Sequence, residues 1–202
     1  MPTQTFFNLP KEKQERIMDA TLNELSLHAY ESLNLANIIR ESQIPRGSFY
    51  QYFKDKNDLF DYFLTYVAMN KFKYWGDLFT SNQDLPFLER FYQIYIKGFY
   101  YAKENPRLVK AAKKMMDSDY YKQSPRVKEG LKQAVTMYAG FIECDQKLGR
   151  IRKDIEPRLL ANFILEFMNK VTLDEYLKDD IHLENIEDIV NQLIDILKKG
   201  IE

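Results

Sequence analysis

Residues 34–59 read NLANIIRESQIPRGSFYQYFKDKNDL, and the reading of this stretch decides the fold. Asn34 is well placed to cap a short helix over residues 35–42, because its side-chain oxygen can accept from an unpaired N–H of the first turn. Gln43 and Ile44 leave room only for a tight connection. Pro45 suits the opening of another short helix running to about residue 53, since a missing N–H is harmless there. Leu35, Ile38, Ile39, Ile44, Phe49 and Phe53 fall at spacings that close one miniature core. Arg46, Ser48, Gln51 and Tyr52 then face outward. Lys54, Asp55, Lys56 and Asn57 form a polar break.

Upstream, Ile17, Thr21, Leu25 and Ala29, with Met18 and Leu22 beside them, recur at helical spacing, and Ile17 and Leu25 complete the miniature core. Two short helices at a tight turn, braced by a first helix, present one helix to a DNA major groove about 12 Å wide. The same residues also allow a plainer arrangement: the closed end of a helical bundle, with Phe49, Tyr50, Tyr52 and Phe53 all packed inside.

The rest of the chain is helical too. Apolar periodicity runs from Leu59 towards Trp75, Ser81–Asp84 breaks it, and the Asn105-Pro106, Ser124-Pro125 and Glu156-Pro157 pairs mark further starts and stops. No stretch alternates with period 2. The predicted fold is all-α with about nine helices: an N-terminal three-helix domain over 1–56 and a larger helical domain over 57–202. Residues 91–102 have only Gln93 and Lys97 as strongly polar members, which predicts a helix enclosed nearly all round.

Of 202 residues, 45% are hydrophobic and 29% charged, which suits a folded globular chain. The single cysteine, Cys144, cannot form an internal disulfide, no signal-peptide pattern opens the sequence, and no apolar run approaches a membrane span. A cytoplasmic address and no membrane partner are expected. His28 reads as a helix-end residue, His182 as a loop residue, Cys144 as a small packed residue, and Asp179-Asp180 as a solvated turn. No metal set, cofactor loop or catalytic constellation is visible, so no cofactor and no enzyme activity are expected. Charge does not argue for DNA: the net charge is −1, and residues 1–56 hold equal numbers of basic and acidic side chains. The argument rests on pattern.

That pattern resembles a known family. Ile44-Pro45-Arg46-Gly47-Ser48-Phe49-Tyr50-Gln51-Tyr52-Phe53, followed by Lys56 and Leu59, is similar to the DNA-binding signature of TetR-type repressors. The resemblance implies that Arg46, Gly47 and Ser48 open a recognition helix, that Tyr50 and Lys56 meet phosphate, and that Asn34 touches the backbone; Gln51 and Tyr52 complete the DNA-facing set. Arg and Gln suit bidentate contacts to guanine and adenine. Four departures stand out: Pro45 where Ser or Thr is usual, Gln43 and Ala29 where Gly is usual, and Ile39 where a small residue is usual.

Family likeness further implies a homodimeric, effector-responsive repressor on a near-palindromic double-stranded operator. The last two long helices, near 157–177 and 183–199, would form the dimer bundle after the connection at 149–154. Leu160, Phe163, Ile164, Phe167 and Met168 make one expected stripe; Ile186, Ile189, Val190, Leu193 and Leu197 make the other. Tyr66, Phe91, Tyr95, Phe99, Tyr138 and Phe141 are candidates to line a pocket for an apolar, aromatic or cationic small molecule, or else plain core. The helix over 57–79 would act as the lever between pocket and DNA. The rival readings are an enzyme, and a helical ligand-binding or adaptor protein without DNA binding.

Overall fold

The computed structural model of the chain describes residues 1–80, 84–176 and 183–201. Ser81, Asn82 and Gln83 of the expected break, together with Asp179, Asp180 and His182, lie outside them. Among the described residues the chain is all-helical, as expected, with eleven α-helices and one 3₁₀ turn (Tyr30–Ser32). Nine helices match the sequence expectation: α2 (Lys11–Leu27), α3 (Leu35–Glu41), α4 (Arg46–Tyr52), α5 (Lys56–Thr80), α6 (Phe87–Glu104), α7 (Pro106–Asp117), α9 (Pro125–Lys147), α10 (Pro157–Tyr176) and α11 (Leu183–Ile201). The other two are short. α1 (Gln4–Phe7) spans a single turn, too short to show a period, and α8 (Asp119–Gln123) is split from α7 at Ser118. Ser118 has extended backbone, and its hydroxyl oxygen accepts from Tyr121 N at 3.2 Å, which starts a new helix.

The chain packs as two units, one of Met1–Tyr74 with Asn105–Ser124, the other of Trp75–Glu104 with Pro125–Glu202. These packing units are drawn differently from the functional division expected after residue 56, because α5 continues unbroken beyond it.

In the first unit the predicted miniature core is present. Ile17, Leu25, Ile38, Phe49 and Phe53 are fully buried, Ile39 and Ile44 nearly so, and Leu35 packs at the edge. Each such side chain contributes about 1.5–3 kcal/mol on burial. Phe6 of α1 joins them, 4.9 Å from the Phe53 ring and 5.0 Å from Tyr62. Thr3 N donates to Tyr52 O at 2.9 Å and ties α1 to the end of α4. α7 packs along α2, burying Ala111 and Met115, while Arg107 pairs with Asp19 at 2.8 Å.

In the second unit Phe87, Phe91, Ile94 and Phe99 of α6 pack with Tyr138 and Ile142 of α9, Leu160, Ile164 and Met168 of α10, and Val190, Leu193 and Leu197 of α11. Gly149, at φ +73, ends α9 in a left-handed conformation that glycine adopts without strain. Arg150 N then donates back to Asp145 O at 2.8 Å. The buried Asp145 carboxylate accepts from Phe87 N at 2.7 Å and fixes the start of α6. α6 is less enclosed than its sequence suggests: Tyr100 is 45% exposed. No helix among the described residues is long and apolar enough to cross a membrane.

Candidate nucleic-acid interface

The start of α3 is held from two sides. Asn34 Oδ1 accepts from Ala36 N at 3.0 Å, while Asn34 N donates to Glu24 Oε1 at 2.9 Å. Glu24, on α2 and 2% exposed, also accepts from Asn37 Nδ2 at 3.3 Å. A buried carboxylate is tolerated only when hydrogen-bonded, and here its bonds bind α2 to α3. Sequence reasoning missed Glu24; its place beside Thr21 and Leu25 on the inward face of α2 was the available signal.

The turn follows. Ser42 is fully buried, its hydroxyl donating to Ile38 O at 2.7 Å, and Arg16 Nε donates to Ser42 O at 3.3 Å. Gln43 reverses the chain at φ 54, in the left-handed region where glycine is usual. Ala29, the other position where glycine was expected, has φ −65 and ψ 158, so no glycine is required there. Pro45 caps α4 with no side-chain hydrogen bond.

On α4 the outward face carries Arg46, Gly47, Tyr50 and Gln51, all exposed, with Ser48 half-buried. Tyr50 is 53% exposed, its ring edge-on to Phe49 at 5.3 Å. A side chain built at Gly47 meets no atom within 4 Å, so nothing inside the fold demands glycine. Asn34 is exposed, and Lys56, half-buried, opens α5. Tyr52 is the exception. Expected to face outward, it is 4% exposed, and its hydroxyl accepts from Lys13 Nζ at 3.2 Å. It lies three residues after Phe49 and so shares the inward face of the helix.

Of the six aromatic pocket candidates, the structure brings five together. Phe91, Phe99 and Tyr138 are buried in the second unit's core, with Tyr95 and Phe141 packed against it. Phe91 and Tyr95 rings lie 5.5 Å apart, and Tyr95 Oη donates to Met168 O at 2.6 Å. Burial pushes the Tyr138 phenol up to about 12. Arg90, absent from the sequence reading, is 3% exposed and its guanidinium lies 4.4 Å from the Phe141 ring centroid. Burial lowers its pKa, partly opposed by Asp145. Tyr66 packs instead with the first unit's core. His28 ends α2, its N–H donating to Glu24 O at 2.9 Å, and Cys144 is half-buried.

A helix-turn-helix whose second helix turns a polar face outward is the arrangement that DNA-binding regulators present to a major groove. Comparison with known proteins points the same way. Residues 17–63 match the family described as bacterial regulatory proteins, tetR family. An uncharacterized HTH-type transcriptional regulator of Haemophilus influenzae is 22% identical over 183 residues, covering 88% of this chain and 91% of that one. Among solved structures, a TetR family transcriptional regulator from Chloroflexus aurantiacus is 23% identical with a TM-score of 0.66, over 100% of this chain and 98% of that one. The regulator FadR from Bacillus subtilis, in complex with stearoyl-CoA, is 16% identical with a TM-score of 0.77, over 93% and 99%. Residues 17–63 thus carry the tetR-family match, and the chain as a whole shares the fold of these regulators.

Proposed function

We propose that the chain is a cytoplasmic, effector-responsive repressor that binds a near-palindromic double-stranded operator as a homodimer and leaves it when a small apolar or aromatic molecule binds. The observation that carries the DNA reading is Gly47. It sits on an open face between Arg46 and Tyr50, in a helix that alanine would stabilise, as a close approach of backbone to a partner would require. In this reading Arg46 and Gln51 read base edges, Tyr50 and Lys56 meet phosphates, and Asn34 and Ser48 add backbone contacts. Tyr52 acts from behind, through Lys13.

The dimer reading is supported by a face of α10 that its own unit leaves uncovered. Leu159, Phe163 and Phe167 are 66%, 54% and 40% exposed at one-turn spacing, and Ile196 of α11 is 67% exposed. The effector reading is supported by the aromatic cluster of the second unit and by the stearoyl-CoA held by the FadR relative, whose stearoyl chain is apolar. A gel shift against DNA flanking the chain's own gene tests the proposal. Arg46→Ala should cost about 1–3 kcal/mol on the specific fragment and little on random DNA. Equal losses on both would sink the base-reading role.

A further inference from the structure

We infer that Tyr30 is a positioning residue for Lys56, its ring and carbonyl together directing the lysine ammonium at the start of α5. The inference rests on the reading of Lys56 as a phosphate contact and deepens it. Lys56 Nζ donates to Tyr30 O at 3.1 Å and stands 4.4 Å from the centroid of the Tyr30 ring. An ammonium has three N–H donors and no acceptor. With one donor on the carbonyl and the charge drawn to the ring face, the remaining capacity points in a restricted direction instead of swinging on a flexible stem. Side-chain freedom that would otherwise be lost on binding DNA is already given up.

The ring is itself held. Tyr30 Oη donates to Asn57 Oδ1, the ring lies 4.5 Å from Phe60, and Tyr120 of α8 stacks on it at 4.5 Å and 27°. Tyr120 Oη donates to Asp61 Oδ1 at 3.1 Å, and Asp119 N donates to Glu31 Oε1 at 3.1 Å, so α8 is fastened beside the lysine by partners on both α5 and the 3₁₀ turn. All of these residues belong to the first packing unit. The position of the lysine head therefore depends on an element far along the chain, α8.

The test measures binding of a short labelled random-sequence duplex across a salt series, with a thermal melt of each variant as the check on folding. Lys56→Ala should lower the salt slope by about 1. Tyr30→Leu should weaken binding about two- to fivefold, Tyr30→Phe should bind as the parent does, and Tyr30→Leu should add nothing once Lys56 is alanine. Should Tyr30→Leu fail to fold, Tyr120→Leu carries the same comparison, with a smaller loss that also vanishes in the Lys56→Ala background. A loss of equal size in both backgrounds overturns the inference, as does no loss while Lys56→Ala still lowers the slope. A slope unchanged by Lys56→Ala overturns the phosphate reading itself.

Discussion

Gly47 and Gln43 sit four residues apart and invert each other's logic. Glycine in a helix costs about 0.5–1 kcal/mol relative to alanine, and the fold has room for a side chain at Gly47. Gly47→Ala is therefore expected to raise the melting temperature while weakening DNA binding. Gln43 occupies φ 54, which costs a residue with a Cβ about 1–2 kcal/mol. Gln43→Gly should also raise the melting temperature, but leave DNA affinity unchanged because the turn keeps its shape. Paired melts and binding curves of the two variants check both outcomes; a Gly47→Ala variant that binds as the parent does removes the case for close backbone approach. The departure at Gln43 was visible in the sequence, and the structure gives its consequence. Tyr52, expected outward in the DNA reading, takes the inward face that its spacing from Phe49 assigns it and that the plainer bundle arrangement also allowed.

At the scale of elements, α10 and α11 show where a stripe of apolar residues stops being informative. The sequence groups Leu160, Phe163, Ile164, Phe167 and Met168 as one stripe. The structure divides it: Leu160, Ile164 and Met168 go into the unit's own core, while Phe163 and Phe167 stay exposed, their rings stacked at 6.1 Å and 20°. On α11, Val190, Leu193 and Leu197 are likewise buried within the unit, Ile189 is half-buried, and the Ile186 side chain lies outside what is described. Periodicity identifies apolar faces but cannot tell a core contact from one awaiting a second chain. Phe163→Glu with Phe167→Glu should therefore yield folded monomers by light scattering, with helicity intact by circular dichroism. Leu193→Glu should instead unfold the second unit, because an unpaired charge in a core costs several kcal/mol. A dimer that survives the double Phe substitution places the interface elsewhere.

For the molecule as a whole, alkaline stability follows from its buried tyrosines. Tyr138 is raised to about 12 by burial, and Tyr120 to about 12 by burial and then by Asp61. A tyrosine in the unfolded chain titrates near 10. Because the folded values are higher, these groups contribute their full stability below about pH 10 and lose it as pH rises towards 12. Melting temperatures should fall across that window, and Tyr138→Phe should fall less steeply than the parent; parallel curves would show that Tyr138 ionisation plays no part. The all-helical class and the helix-turn-helix were legible because their signals are local: caps, prolines, spacing. The assembly of the two units was not, since nothing local announces that Ala111 and Met115 of α7 finish a core begun at Phe6.

That last pairing has a consequence for the order in which the protein comes into being. The first unit is built from two stretches of chain, Met1–Tyr74 and Asn105–Ser124, with a segment of the other unit threaded between them. A chain leaving the ribosome presents the complete helix-turn-helix well before it presents α7, so the face of α2 that α7 covers stays bare until residue 117 has emerged. The helix-turn-helix is thus expected to mature only once α7 has joined it, and a gene truncated after α5 should yield a product prone to proteolysis instead of a minimal DNA binder.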